Sequence, residues 1–306
     1  MKIGLKYLLF VSLCISLSLP LLFAASNPIR IVTTSSVLAS LTQAIIGDEA
    51  SIYYIASPKR DIHFVSPTPK DVLMTKKADV FIHLGLEAEI WKAPLLDAAG
   101  KKKLLISSSA SIDASKGVKA LEVPRSLSRI GGDIHRQGNS HYWMDPENVL
   151  IMIDVITEGL QNQFPKKSNL LEVNAERLKK TLQNKIKDWQ SRMEKFKGTT
   201  VISYHRAWPY FARSFGFKFV AELESNPGIP PSAKHLRFLE KEAKEKQVQL
   251  VVKQPFHESS SPKKIAKIMN IPVVTLIQAV GAVKEAKDYI QMMEYNIGQI
   301  ETALGG

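Results

Sequence analysis

The chain has 306 residues, 45% hydrophobic and 23% charged, a mix suited to two globular domains of ordinary size. Its net charge is +12, but the basic residues are dispersed and never form a run interleaved with aromatics, which argues against a nucleic-acid partner. The single cysteine, Cys14, lies near the start, so disulfides and thiolate metal sites are excluded from the rest of the chain.

Residues 1–26 read as a cleaved secretory signal. Lys2 and Lys6 precede the apolar run "YLLFVSLCISLSLPLLFA", which closes on the small residues "AAS". Leu13 stands where a lipoprotein cleavage site has a small residue, so the expectation is an exported, periplasmic protein without a lipid anchor. Loss of the two lysines takes the charge from +12 to +10 (12 − 2).

After the signal, strands and helices alternate. "IRIVTTSS" (29–36) is a β-branched strand, "SVLASLTQAII" a helix ending at Gly47, and "SIYYIAS" (51–57) a second strand. "DVLMTKKA" is helical, "DVFIHLG" (79–85) a third strand, and "KKLLISS" (102–108) the fourth. Residues 109–140 are polar and rich in Ser and Gly, as in a long loop. A helix follows Asp145-Pro146, the pairing of an N-cap with proline at the first helical position.

From Leu171 to Phe196 apolar residues recur every three or four positions, which predicts one amphipathic helix of about 28 residues, ~42 Å long, ending near Gly198. The alternation then resumes. Strands are expected at 199–204, 218–223, 249–254 and 271–276, with helices between them and a last helix over 284–303. The predicted fold is therefore α/β. Two lobes (27–165 and 199–306), each a mainly parallel sheet flanked by helices, are joined by a long rigid helix (166–198).

Three of the seven histidines share a position. His63 lies in the loop after the second strand, His205 directly follows "TVISY", and His141 ends the long loop after the fourth strand. Ligands of open parallel sheets bind beyond the carboxyl ends of the strands, so all three map to one edge facing the cleft between the lobes. Taken singly, each reads as a capping or hydrogen-bonded buried histidine. Taken together, without cysteine, they suit Zn²⁺, which accepts neutral imidazole in tetrahedral geometry. Asp61 and Asp145 are placed to accept a free ring N–H, although Asp145 equally reads as the helix cap. His83 reads as a core residue and His235 as a solvated one. His257 is a weaker site candidate, and His135 in the loop is a candidate for transient metal capture.

The stretches "RDIHFVSPTPKDVLMTKKADVFIHLGLEAEIW", "GNSHYWMDPENV", "SYHRAWPYFARSFGF" and "NPGIPPSAKHL" resemble the metal-binding solute-binding proteins of ABC importers for zinc and manganese. The resemblance implies one metal ion between two lobes, with His63, His141 and His205 as ligands, and a membrane permease as partner. It departs at the fourth ligand. Gln278, in "IQAVG", stands where the family usually has aspartate, and Gln254 where glutamate is common. Three neutral imidazoles with water or an amide favour zinc over manganese, which prefers carboxylates. Glu224 is a candidate to supply the missing carboxylate. The resulting expectation is a monomeric periplasmic zinc-binding protein, not an enzyme, that delivers its ion to a permease. A three-histidine zinc hydrolase and a metal-binding surface adhesin are the alternatives.

Overall fold

The computed structural model describes residues 28–105, 108–124 and 136–305. The expected signal at 1–26 and His135 lie outside those residues. Among them, no helix is long and apolar enough to cross a membrane.

Two four-stranded sheets repeat one topology. In the first, β1 (Ile29–Thr33) is flanked by β2 (Ala50–Tyr54) and β3 (Val80–His83), and β4 (Ser111–Asp113) closes the far side, giving the order β2-β1-β3-β4. In the second, β5 (Thr200–Ser203), β6 (Lys218–Glu222), β7 (Leu250–Lys253) and β8 (Val273–Thr275) run in the order β6-β5-β7-β8. Every pairing is parallel, as helical crossovers require. Helices α1 (Ser36–Ile46), α2 (Pro69–Lys77) and α3 (Lys92–Ala99) connect the first sheet's strands. Helices α6 (Pro209–Phe215), α7 (Ala233–Glu245) and α8 (Ser260–Met269) do so in the second.

α4 (Pro146–Gln163) and α5 (Ser168–Met193) lie between the sheets in sequence, and α9 (Tyr289–Leu304) ends the chain. The 26 residues of α5 span about 39 Å. Its stripe of Leu171, Ala175, Leu182, Ile186, Trp189 and Met193 is buried. That stripe packs against α1 and α4 on one lobe and α6 and α9 on the other. One continuous apolar core therefore runs from Ile31 through α5 to Val201 and Val252. α9 is pinned to α5 where Trp189 Nε1 donates to Glu294 Oε2 at 2.9 Å and Arg192 forks onto Glu301 at 3.1 and 2.7 Å. It also returns to the first lobe, where the Tyr289 hydroxyl donates to the Trp143 carbonyl at 2.8 Å. A core shared across both lobes resists large hinge motion.

Two sequence expectations need correction, and one helix is added. The fourth strand is not 102–108 but Ser111–Asp113, which pairs with β3 from Phe81↔Ser111 to His83↔Asp113. The apolar run 104–105 is satisfied by a 3-10 turn, Lys102–Leu104, that buries Leu104. The true strand has only one apolar residue, Ile112, which fills the space a Cβ on Gly159 of α4 would occupy. Helix α3, over a stretch to which no element was assigned from the sequence, contains Pro94. Proline is tolerated there in the first turn, where backbone N–H groups have no helical partner. Lastly, α9 begins at Tyr289 rather than 284, because the Asp288 carboxylate accepts from Gln291 N at 2.7 Å and caps it.

Candidate metal centre

His63 sits in a 3-10 turn, Ile62–Phe64, after β2. His205 follows β5, the strand from which the second sheet's order reverses. His141 precedes the turn Tyr142–Met144 that leads into α4. All three side chains are buried, and their ligand atoms lie within 4.8 Å of one another. The Nε2 atoms of His63 and His141 are 3.2 Å apart, as are those of His141 and His205. Tetrahedral zinc with N ligands at ~2.0–2.1 Å separates them by ~3.3 Å. The spacing fits one ion.

The outer ring nitrogens fix the tautomers. His63 Nδ1 donates to the Ala88 carbonyl at 2.9 Å, and His205 Nδ1 donates to Glu224 Oε1. A carbonyl and a carboxylate only accept, so each ring carries its hydrogen on Nδ1 and turns the lone pair of Nε2 inward.

The Ala88 carbonyl is held by an unusual turn. Gly85, Leu86 and Glu87 all adopt positive φ, and a Cβ on Gly85 would fall 2.1 Å from Asp113 Oδ1. The buried Glu89 carboxylate ties the turn by accepting from Thr34 Oγ1 at 2.5 Å, Leu84 N at 2.6 Å and Gly85 N at 3.2 Å. Burial pushes its pKa up, against the pull of Lys92 and these donors.

His141 is set by its backbone. Its N–H donates to Asn139 Oδ1 at 3.0 Å, and its ring packs on Trp143 with centroids 5.3 Å apart. Trp143 Nε1 in turn donates to the Gln278 carbonyl at 2.9 Å.

The expected supporting carboxylates need correction. Asp61 accepts the backbone N–H of His63, at 2.9 Å, as a turn cap, and the ring goes to Ala88 instead. Asp145 is the α4 cap, accepting from Glu147 N at 3.0 Å, and does not orient His141. It also receives Arg213 Nε and Nη2 at 2.9 and 2.5 Å and Ser214 Oγ at 2.6 Å, joining α4 to α6. Glu224 does not face the three nitrogens as a ligand. Both its oxygens are committed, one to His205 and the other to Gly228 N at 3.1 Å. It therefore acts through His205.

Gln278 lines a small cavity of about 40 Å³ with Ser35, Asp61 and Trp143. Its side-chain nitrogen has no protein partner among the described residues. Gln254 is buried, and its backbone N–H donates to His257 Nδ1 at 3.3 Å. His83 is a core residue, as expected, with burial and Lys92 holding its pKa down at about 4. His235 is half-buried rather than solvated, since its Nε2 meets the Glu222 carbonyl at 3.0 Å. His257 stacks on Tyr204 at 4.0 Å and accepts from Gln254 N, and burial, then His205 and Lys253, lowers its pKa to about 3. Neither Glu224 nor His257 is therefore placed as the general base that hydrolysis requires.

A cleft of about 300 Å³ reaches the Glu224 side. Asp61, Phe64, Tyr204, Glu224, His257 and Glu258 are among the residues that line it. Among the described residues no lysine or arginine lines it, in a chain of net charge +12.

Known proteins resemble this chain in sequence and in fold. The zinc-binding lipoprotein AdcA of Streptococcus pneumoniae is 25% identical over 282 residues, covering 89% of this chain but 55% of AdcA, so the chain spans about half that relative's length. The manganese ABC transporter substrate-binding lipoprotein PsaA of the same species is 24% identical over 292 residues, 92% of this chain and 90% of PsaA. A crystal structure of ZnuA superposes with a TM-score of 0.76 at 20% identity, over 90% of this chain and 99% of that one. A Mn-bound periplasmic metal-binding protein from Candidatus Liberibacter asiaticus gives 0.74 at 19% identity, over 90% and 99% of the two chains. At such identities the superpositions show the fold alone. None of these proteins is named as an enzyme. The profile of ZnuA, zinc-uptake complex component A, periplasmic, matches residues 31–303. The chain thus belongs to the ZnuA family, among the metal-binding substrate-binding proteins of ABC transporters.

Proposed function

We propose that the protein captures Zn²⁺ outside the cytoplasmic membrane as a monomer and delivers it to an ABC permease. The observation that carries this reading is the convergence of three Nε2 lone pairs at zinc-like spacing, with the outer hydrogens of His63 and His205 tied down.

The ion is cargo, and binding is ligand exchange. A hydrated cation approaches through the carboxylate-lined cleft and trades its waters for His63, His141 and His205. Water or the Gln278 amide completes the shell. Neutral ligands support zinc over manganese, because Mn²⁺ prefers carboxylate oxygen. AdcA is named for zinc and PsaA for manganese, so the donor set of this chain favours the former. Because one core spans both lobes, the domains move little on binding, and release falls to the permease, which must distort the site. Bound imidazole must be neutral, so affinity falls as pH drops below ~6.5.

Calorimetric titration of the metal-free protein with Zn²⁺ tests the reading. One site that disappears in His141→Ala is the expected result. No binding, or binding untouched by that substitution, overturns it.

A further inference from the structure

We infer that Asn139 is the positioning residue that sets the separation of His141 and His205, an inference that rests on the metal-binding reading above. Asn139 is buried, and each of its hydrogen-bonding groups is engaged. Its N–H donates to the Leu121 carbonyl at 2.8 Å, and its own carbonyl accepts from the Tyr210 hydroxyl at 2.7 Å. Oδ1 accepts from His141 N at 3.0 Å. Nδ2 donates to the Arg206 carbonyl at 2.8 Å and to Glu122 Oε2 at 3.3 Å.

Two of these bonds act on the ligand segments themselves. One holds the backbone of His141 in the first lobe, and the other holds the residue directly after His205 in the second. A single side-chain amide therefore bridges the gap between ligands drawn from opposite lobes. Its surroundings reinforce the bridge. Arg206 forks onto Glu122 at 3.0 and 2.7 Å, and Leu121 N donates to the Tyr210 hydroxyl at 2.9 Å. The segments around Leu121–Glu122 and Asn139–His141 are thus clamped onto Arg206 and Tyr210.

The role needs an amide. Aspartate keeps the acceptor for His141 N but has no donor for the Arg206 carbonyl, and it sets a carboxylate against Glu122. Fixing two ligands in advance removes an ordering cost that the ion would otherwise bear, and this lengthens its residence.

The test compares the full chain with its Asn139→Asp variant. Zinc dissociation is followed by stopped flow into a chromophoric chelator, Kd is obtained by competition, and the thermal midpoint of each metal-free protein is recorded. Ile300→Val, which trims the buried core of α9, is the comparator for a purely structural loss. Expected for Asn139→Asp is about tenfold faster zinc release and a Kd raised about tenfold, while Ile300→Val leaves both unchanged. Glu122→Gln, which removes the like charge, restores part of the loss when combined with Asn139→Asp. Should Asn139→Asp fail to fold, Glu122→Gln alone still weakens the Arg206 clamp and speeds release about threefold. A wild-type protein that binds zinc and a variant within twofold of it would overturn the inference while leaving the metal-binding reading intact. Equal effects from Ile300→Val would do the same. A wild-type protein that binds no zinc would overturn both.

Discussion

Glu224→Gln isolates the contribution of a carboxylate that meets the three-histidine cluster through the outer nitrogen of His205. Glutamate offers an acceptor to each of two donors, His205 Nδ1 and Gly228 N. The amide of glutamine is nearly the same shape but has one acceptor. Whichever donor loses it faces an NH₂ group in a buried site. The substitution also removes the negative charge behind a ring proposed to coordinate a dication. A hydrogen bond to a charged group contributes ~1.5–3 kcal/mol, which is about 10- to 150-fold in a dissociation constant. Partners one step behind a metal ligand characteristically change affinity by about 10- to 100-fold. The expected result is therefore a zinc Kd raised about 10- to 100-fold, with the metal-free protein still folded. Competition calorimetry against a chelator of known affinity, at neutral pH, measures it. An affinity within twofold of wild type would refute the orienting role. Loss of binding as complete as in His205→Ala would refute it differently, by making Glu224 a ligand in its own right.

The interface between α4 and α6 makes a stability prediction. Asp145→Ala removes the α4 cap and leaves Arg213 and Ser214 without their acceptor, at a cost of about 2–3 kcal/mol. Urea unfolding should show a lower midpoint at unchanged slope, and a loss under ~0.5 kcal/mol would contradict the assignment. His83 predicts a pH dependence. Its folded pKa of about 4 lies below the unfolded 6.5, so between these values the unfolded chain binds the proton and the native state does not. Its contribution is complete above pH 6.5 and fades as pH falls to about 4, by up to about 3 kcal/mol. The difference in stability between pH 7 and pH 4 should be smaller in His83→Gln, whose amide still accepts from Lys92. Identical differences in both proteins would dismiss this account.

The fold and the three imidazoles were legible because both depend on local signals. Alternating β-branched runs and amphipathic stretches give a parallel α/β sheet, and strand ends place His63, His141 and His205 on one edge. The groups that hold those rings were not legible, for physical reasons. His63 is oriented by a backbone carbonyl, Ala88, and no residue type announces a carbonyl. Asp61 and Asp145 are near in sequence, but short side chains close in sequence most readily cap the local backbone, as both do here. Glu224 was singled out for its charge, yet its role depends on the return of β6 beside β5, a tertiary event. Asn139 lay in plain view in "GNSHYW", but Leu121 and Glu122 reach it only through the folding of the first lobe, and Arg206 and Tyr210 only when the lobes meet. The short strand Ser111–Asp113 was missed because one buried isoleucine is too little pattern to read.

X-ray absorption at the zinc edge of the loaded protein tests the central claim most directly. Three histidine ligands predict N and O neighbours at ~2.0–2.1 Å, without sulfur, and with the multiple scattering of three imidazole rings. Substituting any one of His63, His141 or His205 should reduce the ring count to two. A shell of oxygen donors with one imidazole or none would contradict it.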